Sequence, residues 1–109
     1  MMRITRISDS YAVCAQISPE QVAQIAAAGF VTIICNRPDN EDPGQPSCAE
    51  IAAACEQAGL TLHHVPVTET PMSADSVAEH RRIIEASDGP VLAYCRSGHR
   101  STVIWQASA

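Results

Sequence analysis

At 109 residues the chain has room for one hydrophobic core and none for a second domain, so residues 1–109 are read as a single catalytic domain. Apolar residues make up 46% and charged ones 17%, which excludes a disordered chain. A formal charge of −5, with all seven basic residues arginine, argues against a polyanion-binding surface, so nucleic acid is not an expected partner.

Two short strands are predicted at residues 4–8 and 11–15, where Ile4, Thr5, Ile7, Tyr11 and Val13 supply β-formers around Asp9-Ser10. The period then changes. Ser18-Pro19-Glu20-Gln21 combines a capping serine, a proline at the first helical position and a glutamine three residues after the cap, and Val22, Ile25 and Ala26 follow at helical spacing up to Gly29. Phe30–Cys35 is a continuous apolar, β-branched run suited to a strand covered on both faces. Asn36–Ser47 is a long loop with three prolines and the acids Asp39, Glu41 and Asp42, and loops of that length in a compact domain are often functional. Ser47–Glu50 repeats the capping signature and opens a second helix through Ala58, stopped by Gly59. Leu60–Val67 reads as a strand, Ser73 caps a third helix ending before Asp88-Gly89-Pro90, Val91–Tyr94 is the last strand, and Ser101–Ala107 closes the chain as a short helix.

Strands alternating with helices imply an α/β fold: a three-layer arrangement in which a mostly parallel sheet of about five strands is flanked by helices. Such sheets bind ligands beyond the carboxyl ends of their strands, where Cys35-Asn36, Val67-Thr68 and Cys95 are all expected. The longest nearly apolar stretch, Ile25–Cys35, is far short of the ~20 residues of a membrane span, and Met1–Ser10 has no apolar signal core, so no membrane association and a cytoplasmic location are expected. The five cysteines fall in four predicted elements without the paired spacing of a zinc site or a disulfide framework, and most read as small core hydrophobes.

Cys95 is different. Tyr94-Cys95-Arg96-Ser97-Gly98-His99-Arg100-Ser101 places a cysteine on a strand end, a glycine three residues on and a helix start just beyond. The backbone N–H groups of such a turn can converge on one concavity, to which the helix N-terminus adds partial positive charge. Arg96 and Arg100 bring forked donors for an oxyanion, Ser97, Gly98 and His99 line the turn, and Ser101 can donate to the sulfur. That field favours the thiolate, lowering the pKa below the free value of ~8.5 and making Cys95 a nucleophile. The plain alternative is a strand-to-helix turn with a buried cysteine and two solvated arginines.

These motifs, with Asn36-Arg37-Pro38-Asp39 through Pro43-Gly44-Gln45-Pro46, resemble the beta-lactamase-hydrolase-like protein, phosphatase-like domain family over nearly the whole chain. The resemblance implies a dual-specificity-phosphatase-like fold. It also implies one of two activities, because some members are described as sulfurtransferases, including ones joined to a metallo-hydrolase or persulfide dioxygenase domain. In the phosphatases the family resembles, five residues separate the cysteine from the arginine and a histidine precedes the cysteine. Here four intervene and Tyr94 takes the histidine's place, so Cys95–Arg100 is similar to the six-residue active loop of rhodaneses.

Leaving-group chemistry separates the two reactions further. Expelling an alkoxide or phenolate from phosphorus benefits from a general acid by roughly 10²–10⁴-fold, whereas thiosulfate expels sulfite, which needs no proton. Glu69, in Val65-Pro66-Val67-Thr68-Glu69-Thr70-Pro71, matches the place of the phosphatase acid, an aspartate there. The favoured expectation is sulfane-sulfur transfer from thiosulfate or a persulfide donor to a thiol acceptor through a Cys95 persulfide. The alternatives are phosphomonoester hydrolysis through a Cys95 thiophosphate, with Glu69 as acid and Arg100 as clamp, and an inactive anion- or partner-binding module. The partners expected are a small anion (thiosulfate, persulfide or phosphoester) and a thiol, with oligomeric state left open.

Arg37 or Asp39, on the long loop, is placed to orient the catalytic loop from behind, unless Asp39 only makes a local turn. Cys35 reads either as a disulfide partner of Cys95 after oxidation or as a core cysteine. His63 and His64 point to opposite faces of a strand and cannot easily grip one ion together, and Cys48 and Cys55 have core spacing, so neither a metal nor a cofactor is expected.

Overall fold

The structure, a computed structural model, describes residues 2–68 and 72–108. Five strands form one sheet: β1 (Thr5–Arg6), β2 (Tyr11–Cys14), β3 (Thr32–Cys35), β4 (Thr61–His64) and β5 (Val91–Tyr94), in the order β1-β2-β5-β3-β4. Only β1 runs antiparallel, as an exposed edge beside β2, while β2, β5, β3 and β4 are parallel. The helices are α1 (Val22–Ala27), α2 (Cys48–Ala58), α3 (Ala74–Ala86) and α4 (His99–Ser108).

The two-residue alternation of the strands sorts the core into two layers. Ala12, Cys14, Ile33, Cys35, Leu92 and Tyr94 face α1 and α2 and pack with Val22, Ile25, Ile51 and Cys55. Tyr11, Val13, Ile34, Val91 and Ala93 face the other way, against Ile83 of α3 and Ile104 of α4. The sheet is therefore covered on both faces, as the apolar runs of β3 and β5 require. Each fully buried Ile33, Ile34 or Leu92 contributes about 1.5–3 kcal/mol of burial energy.

Boundaries differ from the sequence reading where the backbone chemistry dictates. Pro19–Gln21 is a 3₁₀ turn rather than the first turn of α1, with the Ser18 N–H donating to Gln21 Oε1 at 2.9 Å. The predicted strand at residues 60–67 stops at His64, because Pro66 has no N–H for a ladder. Val65 and Val67 still donate to the Cys35 and Asn36 carbonyls, both at 2.9 Å, so the chain stays extended across the end of β3. Ser47 and Glu50 form the reciprocal cap of α2 as read, each bond 3.1 Å long. No helix among the described residues is long and apolar enough to cross a membrane.

Candidate functional site: an amide cradle over Cys95

Strand β5 lies at the centre of the parallel strands and delivers Cys95 at its carboxyl end, 0% exposed. Three residues later the chain reverses at Gly98, whose φ of +94° is a conformation that side chains disfavour. A Cβ there would meet the Cys14 backbone only at 3.5 Å, so the torsion rather than the space demands glycine. That turn aims the Gly98 N–H at Cys95 Sγ, 3.0 Å away, and starts α4 at His99.

Burial is the largest single influence on the Cys95 thiol and opposes ionisation. The N–H groups of Ser101 and Ser97, the Ser101 hydroxyl and the Gly98 N–H together outweigh it, and the thiol is held below its ordinary range. The buried Ser101 Oγ has no partner of good hydrogen-bond geometry, which leaves it beside the sulfur as the group it can serve. The other cysteines go the opposite way: burial pushes Cys14 and Cys48 up to about 12 and Cys55 to about 11, and also raises Cys35.

Arg100 sits at the rim. Its Nη1 donates to Glu41 Oε2 at 2.8 Å and to the Val67 carbonyl at 3.0 Å, and its Nη2 to Glu41 Oε1 at 2.8 Å. Among the described residues, these bonds leave the Nε–H and the second Nη2–H of Arg100 for an anion, and the nearby Cys95 sulfur helps hold the guanidinium in its charged form. Glu41 in turn accepts from Arg37 Nε at 2.9 Å, and the Arg100 and Arg37 guanidinium groups lower its carboxyl to about 2. Arg37 is 4% exposed and each of its three guanidinium nitrogens has a partner, Nη1 on Gln16 Oε1 at 3.0 Å and Nη2 on Asp42 Oδ2 at 2.6 Å. The long loop thus grips Arg100 through one relay, Arg37 to Glu41 to Arg100.

Other expected site residues fall elsewhere. Arg96 does not join the cradle: its side chain is 70% exposed and pairs with Asp42 at 3.4 Å, because the turn at Gly98 leaves residue 96 on the outside. His99 is exposed, its N–H directed at Ser97 Oγ at 3.4 Å. Asp39 caps rather than orients, since its Oδ1 accepts from the Cys48 N–H at 2.8 Å, so of the two loop candidates only Arg37 reaches the cradle. Cys35 faces α2 with Tyr94 while Cys95 follows Tyr94 on the strand, and the Cys35 thiol donates to the Arg37 carbonyl at 3.3 Å, beside Cys48. That setting does not make it a partner for Cys95. Glu69 lies outside the described residues.

A buried polar chain braces the loop from beneath. The single Tyr11 hydroxyl hydrogen goes to the Ser101 carbonyl at 2.8 Å, so its oxygen accepts from His80 Nε2–H at 3.0 Å. His80 Nδ1 is then bare and faces Asn36 Nδ2 at 3.5 Å, while that amide also donates to the Val65 carbonyl at 2.9 Å. Burial lowers His80 to about 4, so it is neutral at pH 7. Sequence reasoning missed Tyr11, His80, Gln16 and the role of Glu41. The signal for His80 was a lone histidine at helical spacing between Val77 and Ile83, and for Glu41 a carboxylate four residues after Arg37.

A buried cysteine whose thiol is held below its ordinary range by the turn that follows it, at the end of a central parallel strand, defines a cysteine-based protein of phosphatase-like fold. Residues 3–109 match the model of the beta-lactamase hydrolase-like protein, phosphatase-like domain, and the chain belongs to that family. A beta-lactamase hydrolase-like protein of Xylella fastidiosa (strain 9a5c) is 34% identical over 107 residues, 98% of this chain and 25% of the relative. One of Agrobacterium fabrum is 33% identical over 105 residues, 95% and 24% respectively. The chain therefore spans about a quarter of the length of the curated relatives it matches. Among solved structures, a candidate phosphatase from Neisseria meningitidis is 40% identical with a TM-score of 0.87, covering 96% of this chain and 75% of that one. Kinase associated phosphatase, 14% identical with a TM-score of 0.80, covers 98% of this chain and 72% of its own, and shares the fold. The fold is also that of P. aeruginosa TpbA in complex with pTyr, at 19% identity and a TM-score of 0.69, over 94% of this chain and 59% of that one.

Proposed function

We propose that this domain transfers sulfane sulfur, with Cys95 as the nucleophile. The observation that carries the reading is the length of the loop: four residues separate Cys95 from Arg100, so the amides close tightly around the sulfur itself, with Gly98 N–H at 3.0 Å. The Cys95 thiolate attacks the outer sulfur of thiosulfate, the S–S bond breaks, and sulfite leaves with the electron pair. The loop amides and the start of α4 stabilise the Cys95 persulfide anion, and the Nε–Nη2 edge of Arg100 holds the departing sulfonate oxygens. An acceptor thiolate or cyanide then takes the outer sulfur and restores the Cys95 thiolate. Neither step needs a proton from the protein.

Incubation with thiosulfate adds one sulfur atom to the intact mass of the reduced protein, and cyanide then yields thiocyanate. Both signals disappear in Cys95→Ser. Absence of the adduct and of thiocyanate in the unaltered protein refutes sulfur transfer.

A second reading is favoured by the descriptions of the structural neighbours, which include phosphatases. In it, Cys95 attacks phosphorus, the alkoxide or phenolate leaves with a proton from Glu69, and water hydrolyses the thiophosphate. It predicts turnover of an aryl phosphate that falls at least about tenfold in Glu69→Gln.

A further inference from the structure

A second cluster of reactive side chains meets on the α2 side of the sheet, away from Cys95. Cys35 ends β3, His64 is its register partner at the end of β4, and Cys48 opens α2. One ligand atom from each, two sulfurs and one imidazole nitrogen, lies within 4.8 Å of the others. The Cys35 thiol and His64 Nε2–H both donate to the Arg37 carbonyl, at 3.3 and 3.0 Å, so the two side chains converge on one oxygen that a single cation could also meet. Asp39 adds a carboxylate behind Cys48 through the Cys48 N–H.

We propose that Cys35, Cys48 and His64 form a binding site for Zn²⁺. Two thiolates and an imidazole are the donor set that this ion takes in tetrahedral sites, and the fourth position falls to water or to the Arg37 carbonyl. With Zn–S of about 2.3 Å and Zn–N of about 2.0–2.1 Å, tetrahedral geometry places the donor atoms about 3.5–3.8 Å apart, so no pair needs to close by more than about 1.3 Å. Cys48 is half-buried and His64 exposed, which gives the ion a route in. Uptake releases two thiol protons to solvent, and two thiolates with a neutral imidazole cancel the charge of the ion. The expectation that no metal binds came from spacing along the chain; the pairing of β3 with β4 and the position of α2 supply the third ligand that spacing hides. A bound ion would tie together the two ends of the 36–47 loop, the loop that holds Arg100.

The test uses the reduced chain with Co²⁺ as optical probe and Zn²⁺ as competitor. The expected result is one ion per chain, a thiolate-to-cobalt charge-transfer band in the near ultraviolet, displacement by Zn²⁺, and a raised melting temperature in the Zn²⁺ form. Cys48→Ser and His64→Ala, both at accessible positions, each weaken binding by at least about 100-fold, since even the outer partners of a metal site are worth 10–100-fold. Cys95→Ser leaves binding unchanged, which separates this site from the sulfur-transfer reaction. Absence of the charge-transfer band, unchanged affinity in either Cys48→Ser or His64→Ala, or loss of binding in Cys95→Ser overturns the proposal.

Discussion

Lowering the pH tests the buried polar chain beneath the Cys95 loop. His80 is 0% exposed and already gives its one N–H to Tyr11, so a second proton on Nδ1 would sit in an apolar layer facing the Asn36 amide donor. Burial therefore lowers its pKa from 6.5 to about 4. Below pH 6.5 the unfolded chain binds a proton there that the folded chain refuses, so the stability is fully present above pH 6.5 and lost as the pH falls to about 4. At about 1.4 kcal/mol per pH unit, the loss amounts to about 3 kcal/mol. That is a large share of the roughly 5–15 kcal/mol that holds a domain folded. Glu41, lowered from 4.5 to about 2 by Arg100 and Arg37, adds its own loss only below pH 4.5, so the interval from 6.5 to 5 isolates the histidine. Urea unfolding at pH 7, 6, 5 and 4.5 measures the slope. His80→Gln keeps an N–H donor for Tyr11 without titrating and should flatten the curve between pH 6.5 and 5. Parallel curves for the two proteins would refute the reasoning.

The remaining predictions concern the cradle and its relay. With limiting iodoacetamide at pH 6.5, Cys95 is alkylated before Cys48, although Cys48 is the more exposed, because ionisation rather than access governs the rate; peptide mapping that found Cys48 labelled first would contradict this. Gly98→Ala forces a side chain into φ +94° at a cost of about 1–3 kcal/mol and turns the N–H from the sulfur, so the pH midpoint of Cys95 alkylation moves up. Arg37→Met strands Glu41, Asp42 and Gln16 and should destabilise by about 1–3 kcal/mol, less than a fully buried pair because Glu41 and Asp42 are 30% and 44% exposed. It also frees Arg100, so sulfur transfer drops at least about tenfold, and unchanged turnover would show that the relay does not position that arginine. Glu41→Gln weakens the grip on Arg100 while keeping the shape of the loop, and its effect appears in kcat for thiosulfate rather than in the midpoint of Cys95 alkylation.

Much of what depends on neighbours in the chain was legible in the residues. Ser47 and Glu50 cap a helix because both partners lie within one turn, and Cys95, Gly98 and Ser101 form a cradle because a strand end, a left-handed turn and a helix start follow one another without interruption. Tertiary structure decided what occupies the ground around that loop. Periodicity marks a buried strand but does not order the strands, and the order β1-β2-β5-β3-β4 sets the long loop after β3 beside the Cys95 turn after β5. Only then does Glu41 meet Arg100, 59 positions away, and Tyr11 reach His80, 69 positions away. The same order also set Asp42 of the long loop where the outward-turned Arg96 could pair with it. Local hydrogen bonding writes itself into spacing; the meeting of charged groups across a sheet depends on which strands lie side by side.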